Sequence, residues 1–458
     1  MTKTTAITAS LTSVILCVGL CFADETKPDA EGFVPLFNGR DLSGWVPVNV
    51  APGTFTVKDG IIVSTGIPTG VMRTEKQYEN FVIELEWKHI HPAGNAGLFI
   101  WGDPMIAQGT PFTRGIEVQI LDHEYVAERE RKTGKKQEGF TGHGDVFPIH
   151  GATMKPDRPH PSGSQRCLPS EFRAKPFGEW NHYRVVCNDG VIKLSVNGKE
   201  VSGGSLCSPR KGYISLESEG SECHFRNIKI KELPSTNPSA EETGRVAEEF
   251  VTLYTGVDLD GWKVGKGSEG HWQPSDWVLK YDGKSEAAQA NDKHLWTAKE
   301  YGDFEMIVDW RLVGKPEKKS YPVVLPSGDE AVNADGTPKL VEVDDYGNSG
   351  ILLRGSEDAQ ANISCYPSGS GEIVAFRKNK ALPAEVRAAC VPKKRADKPA
   401  GQWNRFHITL QGDRLTVVLN GETVIDNAQL QGIPSRGPIG LQHHGTPIEF
   451  ANVFVKDL

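Results

Sequence analysis

The chain is written twice. Phe33-Val-Pro-Leu-Phe-Asn-Gly-Arg-Asp-Leu-Ser-Gly-Trp45 returns as Phe250-Val-Thr-Leu-Tyr-Thr-Gly-Val-Asp-Leu-Asp-Gly-Trp262, an offset of 217 residues. Glu179-Trp-Asn-His-Tyr-Arg184 returns as Gln402-Trp-Asn-Arg-Phe-His407, and Val196-Asn-Gly-Lys199 as Leu419-Asn-Gly-Glu422, both at an offset of 223. The endings match as well, Phe225-Arg-Asn-Ile-Lys-Ile-Lys-Glu-Leu233 against Phe450-Ala-Asn-Val-Phe-Val-Lys-Asp-Leu458, at 225. Self-similarity of this kind means a duplicated domain of a size that one core can hold together. The two copies are expected at residues 32–233 and 250–458, joined by a linker, 234–249, rich in Pro, Ser, Thr and Glu.

Within each copy the pattern is that of strands. Phe81, Ile83, Leu85 and Trp87 alternate with polar residues, as do Ile192, Leu194 and Val196. Asn197-Gly198 and Asn420-Gly421 each sit between such runs, and Asn-Gly tolerates the positive φ angles of a tight hairpin turn. Capped helical periodicity is missing apart from one short candidate at Pro383 to Ala389. The expectation is an all-β protein, two tandem antiparallel sandwiches.

The ends and the composition narrow the setting. Lys3, the apolar block Val14 to Leu20 and the small residues before Asp24 describe a signal peptide over residues 1–23. A lipid-bearing Cys21 is a poorer match, because Gly19-Leu20 precedes it. The mature chain is therefore expected to be periplasmic or secreted, without a membrane span. A net charge of −8 argues against a nucleic-acid partner. Six of the eight cysteines fall after the signal, a number that permits disulfides, with Cys365 and Cys390 the pair available to the second half.

The chemistry collects in the first copy. In Gly115-Ile-Glu-Val-Gln-Ile-Leu-Asp-His-Glu124, strand alternation places Glu117 and Gln119 on one face, with Asp122 and His123 at the strand's end. Downstream, His143, Asp145 and His150 follow among Gly and Pro turn residues. So many titratable groups in one stretch mark either an exposed sheet face with a solvated loop or a site, since burying them costs free energy unless they are paired. Trp101 either packs in the core or offers its ring as a stacking platform for a ligand.

As an ordered set, the repeated Phe-Asn-Gly-Arg-Asp-Leu-Ser-Gly-Trp, Gly94-Asn-Ala-Gly97, Glu117-Val-Gln-Ile-Leu-Asp122, Glu179-Trp-Asn181 and Phe225-Arg-Asn-Ile-Lys-Ile230 resemble the DUF1080 family, described as the 3-keto-disaccharide hydrolase domain. The resemblance covers each copy in turn. It implies concanavalin A-like jelly-roll sandwiches acting outside the cytoplasm on oxidised sugars. The implied reaction removes the acidic C2 hydrogen of a 3-keto-glycoside, expels the C1 substituent and adds water. On that reading Glu117, Gln119 and Asp122 hold substrate hydroxyls or a divalent cation, and one of His123 and His150 transfers the proton. His143 and Asp145 complete the substrate site.

The second copy departs from the first. It carries a 30-residue insertion between Trp310 and Gly347, and Asp358-Ala-Gln360 is set against Glu117-Val-Gln119. Arg354, Gln360 and Asn362 are its candidate sugar-binding residues. The His-Gly-Asp loop is expected to have no counterpart; Gly369-Ser-Gly-Glu-Ile373, Arg377 and Gln442-His-His-Gly445 stand in its stead. The rival to an enzyme is a non-catalytic carbohydrate-binding protein, because a sandwich hosts either.

Overall fold

The computed structural model describes residues 27–137, 139 and 143–458. The expected signal peptide lies outside the described residues. No described helix is long and apolar enough to cross a membrane.

Each half is a jelly-roll sandwich of the concanavalin A-like kind, and every pairing between its strands is antiparallel. The first half packs a nine-stranded back sheet on a six-stranded front sheet, and the second packs eight strands on five. The alternation read from the sequence is what makes the cores. Phe81, Ile83, Leu85 and Trp87 of the strand Phe81–His89 point inward, while Glu84 and Glu86 lie outward. The turn residues Asn197 (φ 46°) and Gly198 (φ 85°) close one hairpin, and Asn420 (φ 53°) and Gly421 (φ 86°) its repeat, all in the left-handed region that tight turns need.

Three helices were not all foreseen. Ala384–Ala389 forms where a short helix was expected. Val374–Lys378 is too short to show a period and Glu124–Thr133 buries no residue that would mark one; the second is closed by Gly134 (φ 64°), whose N–H bonds to Glu130 O. The insertion of the second copy becomes a separate hairpin, Glu317–Pro322 with Leu340–Asp345. All six described cysteines are buried free thiols, so neither Cys365–Cys390 nor any other pair is bridged.

The two domains dock. A loop of the first, residues 103–112, lies on the outward face of the second domain's back sheet. Gln108 Nε2 donates to Trp403 O and Asn420 Oδ1, both at 2.8 Å, and Arg405 Nη1 donates to Ile106 O at 3.0 Å. Asp309 Oδ2 accepts from Gly109 N–H (2.8 Å) and Asn452 Nδ2 (2.7 Å). Beside these bonds Val48, Val71, Phe99 and Ile106 of the first domain form one apolar cluster with Phe454 of the second. Apolar burial with a hydrogen-bonded rim holds the halves in one arrangement.

Candidate active site

The strand Gly115–Leu121 is buried on both faces, which removes the reading of an exposed sheet face. Ile116, Val118 and Ile120 enter the core; Glu117 and Gln119 point to the opposite, front side and are only 7 % and 6 % exposed. Its neighbours add to the same row. Across Asn95–Gly102, Gly97 stands opposite Gln119 and Phe99 opposite Glu117. On the far side of that strand, Ser215 stands opposite Phe99, so Glu217 and Glu219 fall on the front face too.

The result is a cluster of three glutamates over a glycine. A Cβ at Gly97 would lie 2.6 Å from Glu217 Oε2 and 3.3 Å from Glu117 Oε1, so only glycine lets both carboxyls settle there. Glu217 is 1 % exposed and its Oε2 has no hydrogen-bond partner. Gln119 Nε2 donates to Asn95 Oδ1 (3.1 Å), and Asn95 Nδ2 donates to Glu219 Oε2. Asp145, wholly buried, accepts from Arg166 Nη1 at 2.7 Å.

Electrostatics sort the three acids. Burial, then the neighbouring Glu219, pushes Glu117 up to about 8, with Arg166 opposing. Burial first, and the charges of Glu219 and Glu117 after it, lifts Glu217 well above the usual carboxylate range. Glu219 is the least enclosed. It is also raised by burial, with Asp276 of the second domain adding to the shift, while a hydrogen bond from Glu217 and the Arg129 cation of helix Glu124–Thr133 act against it. Close acids that cannot all ionise keep protons at neutral pH, and Glu217 and Glu219 are hydrogen-bonded to one another.

The other expected site residues do different work. Asp122 is a staple: Oδ1 accepts from Ala93 N–H (2.8 Å) and Glu124 N–H (3.1 Å), and Oδ2 from Phe177 N–H (2.9 Å). His123 Nε2 donates to Ala174 O at 2.8 Å, and His143 Nε2 accepts from Ala174 N–H at 3.1 Å. Phe172 packs on both rings, and desolvation drives His143 down to about 3. These imidazoles pin a loop to the sheet edge.

His150 is separated from the acids altogether. It stacks on Phe112 and lines a cavity of about 570 Å³ between the domains, together with Arg114, Arg245 and Arg405 and without Glu117. Trp101 is no sugar platform, being fully buried, with Nε1 donating to Glu79 O at 2.7 Å. Arg354 is likewise structural: its guanidinium is spent on Gly302 O, Gly412 O and Asp303. Among the described residues no three His, Cys, Asp or Glu side chains are gathered to hold a metal ion, and Asp122 and Asp145 are already engaged.

In the second domain strand register overturns the expected correspondence. Gly350 stands opposite Asn362 as Gly97 stands opposite Gln119, so Glu117 matches Gln360 and not Asp358. Backbone bonds extend the match. Gln119 N–H donates to Asp145 O and Gly144 N–H to Gln119 O, while Asn362 N–H donates to Glu372 O and Gly371 N–H to Asn362 O. The Gly144-Asp145 turn therefore does have a counterpart, Gly371-Glu372, and Arg377 pairs with Glu372 as Arg166 does with Asp145. Leu216 pairs with Leu98 as Leu441 does with Ile351, which makes Gln442 the partner of Glu217.

Fold and face define the class, a tandem jelly-roll sandwich protein with a polar row on the front sheet of each domain. The chain belongs to the family described as the 3-keto-alpha-glucoside-1,2-lyase-like domain, whose model matches residues 32–231 and again 249–456. It is 22 % identical over 253 residues to a 3-keto-disaccharide hydrolase of Bacteroides thetaiotaomicron, spanning 45 % of this chain and 80 % of that protein. Among solved structures it resembles a putative glycosyl hydrolase from Parabacteroides distasonis, at 27 % identity and TM-score 0.35, over 45 % of this chain and 95 % of that one. It also resembles the carbohydrate-binding module CBM66 of Bacillus subtilis, at 10 % identity and TM-score 0.26, over 42 % and 97 %.

Proposed function

We propose that the first domain is a hydrolytic enzyme for 3-keto-glycosides, working by elimination and hydration after export of the chain. The observation that carries the reading is the glutamate triad over Gly97, two members held protonated and one, Glu219, less enclosed. A carboxyl that stays neutral near pH 7 can donate a proton, and a neighbour that ionises can accept one. The family description and the name of the Bacteroides relative point to the same substrate class.

In this scheme Glu219 takes the C2 hydrogen as a proton, and the electron pair becomes an enolate whose charge rests on the C3 oxygen. The Arg166 guanidinium, beside Glu117, supplies positive potential there. The enolate collapses, the C1–O bond breaks, and Glu117 gives its proton to the departing oxygen. Water then adds at C1 as a proton returns to C2, and the sum is hydrolysis. Asn95 and Gln119, bonded to each other along the row, are placed to hold the sugar's hydroxyls.

Turnover of a 3-keto-glucoside, with its unoxidised parent left untouched, is the expected result for the purified chain. A Glu219→Gln variant that keeps full activity would overturn the assignment of the base, and an inactive wild-type chain would overturn the reaction. Export is checked separately: the protein recovered outside the cytoplasm should begin at Asp24.

A further inference from the structure

The second domain repeats the row with the acids removed. Where the first has Glu117, Glu217 and Gln119, it has Gln360, Gln442 and Asn362, while Asn348 stands for Asn95 and His444 for Glu219. Shortening Gln119 to Asn362 has a visible consequence. In the first domain the longer amide closes on Asn95 Oδ1. In the second, Asn362 Nδ2 and Asn348 Oδ1 are both left without a partner, and so are Gln360 Oε1 and Gln442 Oε1. Asn362 is 3 % and Asn348 8 % exposed, so water at the open surface does not excuse them. Four unsatisfied amide atoms on one short row are costly, and a bound group is the ordinary reason to keep them.

We propose that this row is a binding site for a neutral sugar ring and, with Gln360 in the place of Glu117, has no carboxyl to give a proton to a departing oxygen. The ligand class rests on the sugar chemistry proposed for the first domain. Hydroxyls fit because each both donates and accepts, which satisfies these amides whichever way each is turned. A charged ligand does not fit: the charged groups beside the row, Glu372 and Arg377, neutralise one another, and Glu372 Oε2 also accepts from Ser368 Oγ at 2.8 Å. Gly350 leaves the hollow, since a Cβ there would strike the Gln360 amide. The domain would then hold one unoxidised sugar unit while its partner cleaves another.

The test is calorimetric titration of the full chain with maltose, trehalose and sucrose. At least one should bind, and Gln442→Leu should weaken it about tenfold or more. Asn362→Gln is the sharper variant, because it rebuilds the bond that Gln119 makes to Asn95. It should weaken sugar binding by a similar factor while the melting temperature holds or rises by about 2–4 °C, and hydrolysis of the 3-keto substrate continues at the wild-type rate. Failure of all three sugars to bind the wild-type chain would overturn the site. So would unchanged affinity in both variants, or loss of hydrolysis in Asn362→Gln, which would make the second row catalytic. A wild-type chain that binds sugar but turns nothing over would count against the first domain's reaction and for this site.

Discussion

Glu117 and Gln360 occupy one position of one repeated sheet, and the pair shows what a single atom type decides. Both side chains lie over a glycine, beside a buried carboxylate–arginine pair and opposite a residue from a distant strand. In the first domain the row is acidic, and burial keeps protons on it. In the second, amides replace Glu117 and Glu217, and His444 stands in the place of Glu219. Shape has been kept through the duplication while the cluster of buried carboxyls is found in one half.

Giving the first row the two glutamines of the second is the largest break of that comparison. Glu117→Gln with Glu217→Gln should lower kcat on a 3-keto-glucoside by about 10²–10⁴-fold. The fold should persist, because isosteric amides avoid the desolvation that burdens the acids. Measured kcat and melting temperature together separate loss of chemistry from loss of structure; a fully active double variant would remove both acids from the reaction.

A second contrast runs across the back sheets. Asp309 and Glu86 are equivalent, each facing a residue of the next strand, Arg405 or His182. Asp309 is sealed under the first domain, bound by Arg405 Nε (2.6 Å) and Nη2 (2.9 Å) as well as Gly109 and Asn452. Asp309→Ala would strand the Arg405 cation inside that interface and should cost about 3–5 kcal/mol, read as a fall in the denaturation midpoint. A change below about 1 kcal/mol would mean that the domains do not rely on this contact.

Protonation gives the next effect. Glu117, at about 8 in the folded chain against an ordinary 4.5, binds its proton more tightly folded than unfolded. The folded state therefore holds more protons across that window, and its stability falls as pH rises through it. His143, lowered to about 3, works the other way below its ordinary 6.5. The clean interval is therefore between about pH 6.5 and 8, where the wild type should lose on the order of 1–2 kcal/mol relative to a Glu117→Gln variant. Parallel melting curves for the two proteins over that interval would contradict the buried-acid description.

Much of the architecture was legible because it rests on periodicity. The repeat announced two sandwiches, alternation put Glu117 and Gln119 on one face, and Asn-Gly marked two hairpins. What was hidden depends on register and on loops. Glu217 and Glu219 join Glu117 only through the intervening strand at Gly97, about 120 residues earlier in the chain than either. The signal was present: Glu217-Ser-Glu-Gly220 sits at the same 225 offset as the matched endings, opposite Gln442-His-His-Gly445. The two-residue error at Asp358 arose because a bulge after Leu352 shifts the pairing from Gln360 to Ser356. The histidines misled because titratable type says nothing of partners, and Ala174 supplies the backbone groups that hold both His123 and His143.

The smallest effect completes the back-sheet comparison. Glu86 Oε2 accepts from Arg226 Nε at 2.6 Å, and the two side chains are 26 % and 36 % exposed. Water competes for both partners, and holding two flexible chains in one geometry costs entropy. A pair in this setting contributes under about 1 kcal/mol. Glu86→Ala should accordingly shift the denaturation midpoint several-fold less than Asp309→Ala, although the two positions are the same place in the repeat. Equal costs would mean that the outward face of the first domain is covered in solution as the second domain's is, and a second copy of the chain would then be the occupant to look for by sedimentation.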